Sequence, residues 1–129
     1  MNGKRVVLDS SAVLAMLFDE PGGEAVPALL PDCAMSTVNL AEVVTGLINH
    51  GGDPDRAVDA AARLPVDPVA LDREVALAAG RLRAVTLRYG LSLGDRICLC
   101  LAGKLELPVV TCDTMWRELD IGVDIRVLR

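Results

Sequence analysis

The sequence predicts a three-layer α/β fold built on a mostly parallel sheet of about four to five strands. Three observations predict it. Arg5-Val6-Val7-Leu8 is a short apolar run ending at Asp9, and Pro108 to Cys112 is another, ending at Asp113. Unbroken aliphatic runs of this length mark strands buried on both faces. Helical patterns separate the strand-like segments along the whole chain, the alternation that gives a parallel sheet covered by helices. Finally, the 129 residues are 52% hydrophobic with one Phe, one Trp and one Tyr, so a single aliphatic core spanning residues 1–129 as one domain is expected.

Each element has a local reason. After the first strand, Ser10-Ser11 can cap a helix running to about Phe18. Pro21-Gly22-Gly23 breaks the chain before a second short helix through Leu30. Cys33-Ala34-Met35 is a weak second strand. Val38 to about Asn49 is a helix, with Leu40, Val43, Val44 and Leu47 at i, i+3, i+4, i+7. Gly51-Gly52 stops it, and Pro54 opens another helix through Leu64. Val66 to Val69 reads as a strand whose two flanking prolines favour an edge or a loop. Asp72 to Tyr89 is a long amphipathic helix closed by Gly90, and Ser92 caps the next, to about Leu105. The strand at 108–112 follows, then a short helix around Trp116 to Leu119 and a last strand, Ile125 to Leu128.

Composition narrows the function. The net charge of −5 has the wrong sign for a broad basic nucleic-acid face. It is uneven, however: residues 1–64 carry four basic and nine acidic groups, and residues 65–129 carry nine of each. Arg73, Arg81, Arg83, Arg88, Arg96 and Lys104 form a loose basic run, most simply read as solvated helix faces. Four cysteines without a C-x-x-C pair read as reduced thiols. One histidine leaves too few nitrogen and sulfur ligands for a structural zinc site. Asp9 interrupts the early apolar run, unlike a signal-peptide core, and the longest uncharged stretch, Val43 to Gly52, is far short of a membrane span. A soluble, cytoplasmic protein with no membrane partner is expected.

Four carboxylates stand out. In parallel α/β sheets ligands bind beyond the carboxyl ends of the strands, and Asp9 and Asp113 each follow an apolar strand directly. Either could serve only as a helix N-cap; their equivalent placement favours a shared site. Asp95 lies three residues after Ser92, where it could complete a capping box, yet the helix behind it is strongly apolar. Glu42 is the one charged residue between Ser36 and Gly52, with no basic residue four positions away to pair with it. It either faces solvent or awaits a metal. Four carboxylates without histidine form a hard-oxygen set suited to Mg²⁺ or Mn²⁺, ions that serve phosphoryl chemistry. No Gly-rich phosphate loop is present, so the phosphate would belong to the substrate.

The stretches VVLDSSAVLAMLFDEPG, STVNLAEVVTGL, LSLGDRICLCLAGKLELPVVTCDTMW and the closing IRVL resemble a PIN-domain ribonuclease, and within that family the VapC-type toxin of a prokaryotic toxin–antitoxin pair. The resemblance runs from about Arg5 to Leu128. It implies a PIN-like three-layer domain and an acidic quartet of Asp9, Glu42, Asp95 and Asp113 holding Mg²⁺ or Mn²⁺. Asp9, Asp95 and Asp113 would anchor the principal ion, and Glu42 would bind a second ion or orient water. Thr111 matches a small hydroxyl position lining the site. Asn39 and Ser10 sit beside quartet members in supporting or capping roles, and Arg96 would approach substrate phosphate or pair with Asp95. The resemblance also implies hydrolysis of RNA, a homodimer, and a small cognate antitoxin that inserts near the acids.

Other readings compete. An Asp-nucleophile phosphatase needs a second Asp two residues after the first, where this chain has Ser11. A phosphoacceptor receiver domain needs an acidic pair and a late lysine that are missing. Another metal-dependent phosphoesterase, or a catalytically silent PIN-like binding module, stays open.

Overall fold

The structure, a computed structural model, describes residues 4–129. Strand β1 (Val6–Leu8) leads into helix α1 (Ser10–Leu17). Two 3₁₀ turns, Gly23–Ala25 and Leu30–Asp32, precede strand β2 (Cys33–Ser36). Helices α2 (Thr37–Asn49) and α3 (Pro54–Ala62) follow, then strand β3 (Asp67–Val69) and helix α4 (Arg73–Thr86). A 3₁₀ turn at Leu87–Tyr89 joins α4 to helix α5 (Leu93–Leu105). Strand β4 (Val109–Thr111), a 3₁₀ turn at Thr114–Glu118 and strand β5 (Ile125–Val127) complete the chain.

The five strands pair in the order β3-β2-β1-β4-β5, all parallel. Strand β1 lies at the centre, with Val7 opposite Val109 and Leu8 opposite Val110. The chain leaves β1 toward β2 and β3 on one side and returns to β4 and β5 on the other. The winding therefore reverses between β1 and β4. Outside the carboxyl ends of those two strands lies the crevice where such sheets bind ligands. Asp9 and Asp113 occupy that edge.

Alternation along the strands makes the layers. Val6 and Leu8 point into one core with Val13, Met35, Val43 and Ala61, beneath α1, α2 and α3. Val7 points the other way, with Leu99, Leu101, Val109 and Trp116, beneath α5. Helix α4 packs outside α5 through Val75, Ala79 and Ile97. The expected three-layer α/β class is thus the observed one.

The caps mostly follow the sequence. Ser36 Oγ accepts from Val38 N, Asp53 from Arg56 N, and Asp72 from Val75 N. Ser92 and Asp95 exchange both bonds of a capping box. Pro68 lies in β3 and is tolerated because β3 is an edge strand.

Three expectations need correction. The short helix through Leu30 is absent, and two 3₁₀ turns take its place. Pro27 and Pro31, four residues apart, each lack an amide donor and disfavour helix in the residue before them. The long helix ends at Thr86, the 3₁₀ turn and Gly90 (φ 64°) finishing the reversal. Ser10 and Ser11 do not cap α1: Asp9 is its N-cap residue, and both hydroxyls turn into the crevice.

Candidate active site

The carboxyl ends of β1 and β4, the first turns of α1 and α5 and the middle of α2 bring all four predicted acids to one crevice. Their mutual charges reveal the proximity. Asp9 responds to Asp95 and Glu42, and Asp95 responds to Glu42 and Asp113.

Asp9 is 1% exposed. Burial pushes its carboxyl up from 3.8 to about 6; the Ser11 hydroxyl opposes this, the Asp95 charge adds to it, Thr111 opposes and Glu42 adds. Its side chain makes no capping bond to α1, so the cap reading fails for this residue. Instead, Oδ2 accepts from the Ser11 hydroxyl at 2.6 Å and the Thr111 hydroxyl at 2.8 Å. Those hydroxyls are aimed from behind: Cys112 N donates to Ser11 Oγ and Asp113 N to Thr111 Oγ1, each at 3.0 Å. The strand end thereby orients the groups that orient Asp9. Asp9 Oδ1 is buried with no hydrogen-bond partner.

Glu42 is half-buried, so the solvent-facing alternative does not hold. Its Oε1 accepts from Asn39 Nδ2 at 2.7 Å and from Ser10 Oγ at 3.0 Å. Asn39 is 0% exposed, and the same Nδ2 donates to the Gly94 carbonyl at 3.2 Å. Two acceptors on that nitrogen fix the orientation of the amide. Ser10 and Asn39 thus both hydrogen-bond the Glu42 carboxylate.

Asp95 is half-buried, and burial raises its pKa; the Ser92 backbone and hydroxyl oppose this, and the Glu42 and Asp113 charges add to it. Its Oδ2 accepts from Ser92 N. Asp113 caps its own 3₁₀ turn, Oδ1 accepting from Met115 N at 3.0 Å. Asp95 and Asp113 are therefore caps as well as members of the crevice, and the two roles coexist.

One pattern unites the four. The protein's hydrogen bonds fall on Oδ2 of Asp9, Oε1 of Glu42, Oδ2 of Asp95 and Oδ1 of Asp113. Among the described residues, the second oxygen of each carboxylate has no such bond. Four single-oxygen donors, one buried and orphaned, fit a small hard cation that prefers one oxygen per ligand, such as Mg²⁺ or Mn²⁺. The acids stop short of a closed chelate, since no three ligating side chains converge among the described residues.

Arg96 departs from expectation. Its Nη1 donates to the Ala79 carbonyl of α4 at 3.0 Å, its Nε is buried without a partner, and no ion pair joins it to Asp95 among the described residues. The helix carries its side chain toward α4, away from the acids.

Sequence reasoning passed over two residues. Ser11, assigned to a cap, is a principal partner of Asp9; its signal is a second hydroxyl directly after the strand-end Asp. Gly94 is buried in the first turn of α5, against the Glu42 carboxylate. Its signal is a glycine inside a helical pattern that no turn requires.

A doubly wound parallel sheet with a carboxylate crevice at its switch point defines the class: an α/β domain of PIN type. Comparison with protein families matches the PIN domain over residues 6–122, and the chain belongs to that family. A search of curated protein sequences gave no match. Solved structures share the fold. The DNA-bound VapBC complex from Salmonella typhimurium contains a chain with TM-score 0.74 and 20% identity, covering 98% of this chain and 99% of its own. The VapBC-1 complex from nontypeable Haemophilus influenzae gives 0.71 and 18%, covering 95% and 97%. A sarcin–ricin-loop-cleaving VapC toxin from Mycobacterium tuberculosis gives 0.71 and 17%, covering 92% and 98%.

Proposed function

We propose that this chain is a Mg²⁺- or Mn²⁺-dependent endoribonuclease and the toxin of a toxin–antitoxin pair. The observation that carries the reading is the buried Oδ1 of Asp9, unpartnered among the described residues, on a carboxyl that feels the charges of Asp95 and Glu42. Membership of the PIN family and the shared fold of the VapC chains support the same direction.

Asp9, Asp95 and Asp113 would hold the principal ion, and Glu42 would bind a second or orient the attacking water as general base. Bound metal supplies Lewis acidity for the phosphodiester oxygens and for water. Ser11 and Thr111 fix Asp9 through Oδ2 and leave Oδ1 for a ligand, while Ser10 and Asn39 fix Glu42 through Oε1. Arg96, turned toward α4 and partly buried there, has no part in the acid cluster; the exposed Arg73, Arg81, Arg83 and Arg88 would meet RNA phosphates at the surface.

The partners follow from charge and exposure. An antitoxin with a basic segment would be drawn to the acidic crevice and close it. Leu77, Val85, Leu87 and Leu93 are exposed on and beside α4, and a second copy of the chain would cover them in a homodimer. We place the protein in the cytoplasm as one domain; no described helix is long and apolar enough to cross a membrane.

The test is cleavage of a generic single-stranded RNA with Mn²⁺, together with growth arrest on expression. Asp9→Ala and Asp95→Asn are expected to lose both, with an unchanged circular dichroism spectrum. Cleavage retained in those variants overturns the site. RNA binding without turnover by the wild type favours the binding-module reading.

A further inference from the structure

We infer that Gly94 is a positioning residue for the acidic crevice: its missing side chain is the seat of the Glu42 carboxylate. The inference rests on the proposed metal-dependent reading and adds a residue to it. A Cβ at Gly94 would lie 2.2 Å from Glu42 Oε2, 2.5 Å from Cδ and 2.6 Å from Oε1. These distances are far inside contact, so any other residue here displaces Glu42.

The backbone does not ask for glycine at this point. Gly94 sits in the first turn of α5 without a positive φ, in a helix where alanine is the better former by about 1 kcal/mol. Gly80 and Gly103, also helical, have nothing closer than 3.9 Å to an added Cβ. Gly46, in α2, is crowded too, but by the apolar end of Leu14 at 2.7 Å; among the described glycines only Gly94 has a carboxylate over it.

Its neighbours turn this contact into a device. Asn39 Nδ2 holds Glu42 Oε1 and the Gly94 carbonyl together, clamping the end of Glu42 onto the first turn of α5. Ser10 Oγ takes the same Oε1 from the α1 side. Oε2, the oxygen without a hydrogen bond among the described residues, is the atom nearest to where a Gly94 Cβ would stand, and Asp95 is the next residue along α5. Gly94 thus sets where the free oxygen of Glu42 stands relative to Asp95.

The displaced group would be the far end of a flexible side chain, which can swing away cheaply. Gly94→Ala is expected to fold, melting somewhat below the wild type because Asn39 and Ser10 lose their Glu42 partner, while Mn²⁺ binding, read by calorimetry in the full chain, weakens about ten- to a hundredfold, the usual range when a group that orients a metal ligand is lost. A double-mutant cycle with Glu42→Ala separates this from a general packing effect. In the Glu42→Ala background, Gly94→Ala should change Mn²⁺ affinity no further. An equal loss in both backgrounds, or wild-type affinity in Gly94→Ala, overturns the inference and leaves the proposed function standing. A wild type that binds no Mn²⁺ overturns both. If Gly94→Ala does not fold, Gly94→Ala combined with Glu42→Ala, where the clashing carboxylate is gone, should fold; failure of that double variant to fold overturns the inference.

Discussion

Asp72 and Asp9 both stand at the N-cap of a helix, and their surroundings push the two carboxyls in opposite directions. Asp72 spends both oxygens: Oδ1 accepts from Val75 N and Oδ2 takes the Lys104 ammonium. The Lys104 hydrogen bond leads the causes that hold it below the ordinary range. Asp9 spends one oxygen, on two neutral hydroxyls, and burial lifts it to about 6. The first carboxylate is a completed structural part, with its cation supplied by the chain. The second is buried against two neutral hydroxyls, and no basic side chain among the described residues pairs with it, a costly arrangement for an ion in a protein interior. That difference separates an acid that holds a helix from an acid that waits for a ligand.

The sharpest way to break the comparison is to remove the Asp9 charge while keeping its shape. Because the folded pKa of about 6 lies above the reference of 3.8, the folded chain binds this proton more tightly than the unfolded chain does. The penalty is absent below about pH 4, grows from pH 4 to 6, and is complete above that. A gap of about two pK units corresponds to about 3 kcal/mol. Metal-free Asp9→Asn should therefore be the more stable protein at pH 7 by about that amount, with the advantage gone at pH 4. Urea unfolding in chelator at both pH values measures it. Parallel behaviour of the two proteins would mean that Asp9 is not a destabilised charge. Added Mn²⁺ should raise the stability of the wild type and leave the variant almost unchanged.

How much of this was legible depends on the range of the interaction involved. Asp9 and Asp113 were legible because a strand end is a local pattern, and Asp95 because a strongly apolar helix stands behind it. Glu42 was visible by its isolation in an uncharged helix. Ser11 and Gly94 were not, because their roles lie across the fold: Ser11 meets Cys112 N, and Gly94 meets Glu42. Arg96 was ambiguous because helical spacing leaves open which flank a long side chain follows, and the packing of α4 on α5 decided it. The failed helix before Leu30 was legible after all: the spacing of Pro27 and Pro31 argued against it.

A smaller effect tests the hydroxyls that replace water around Asp9. Ser11→Ala removes one donor to Oδ2 and leaves the Cys112 amide without its acceptor. A lost buried partner of this kind costs about 1–2 kcal/mol. Since the Ser11 bond is the largest influence pulling the Asp9 carboxyl down, its loss should also move the pH-dependent step in stability upward. Lost stability with an unmoved step would assign Ser11 to packing alone.

The smallest effect belongs to the completed carboxylate and marks the other end of the comparison. Lys104 bridges Asp72 and Glu74 at the α4–α5 seam, and all three side chains are solvent-exposed to a large extent. Exposed pairs contribute little, because solvent screens the attraction and fixing long side chains costs entropy. The seam keeps its apolar contacts, Val75 and Ala79 against Ile97, whether or not the bridge is present. Lys104→Ala is therefore expected to melt within the scatter of replicate wild-type scans, with unchanged Mn²⁺ affinity and RNA cleavage. A loss of metal binding in this variant would show that the two acid groups are coupled through α5, whose first turn carries Asp95 and whose last carries Lys104. The distinction between a finished and an unfinished carboxylate would then have to be drawn for the helix as a whole.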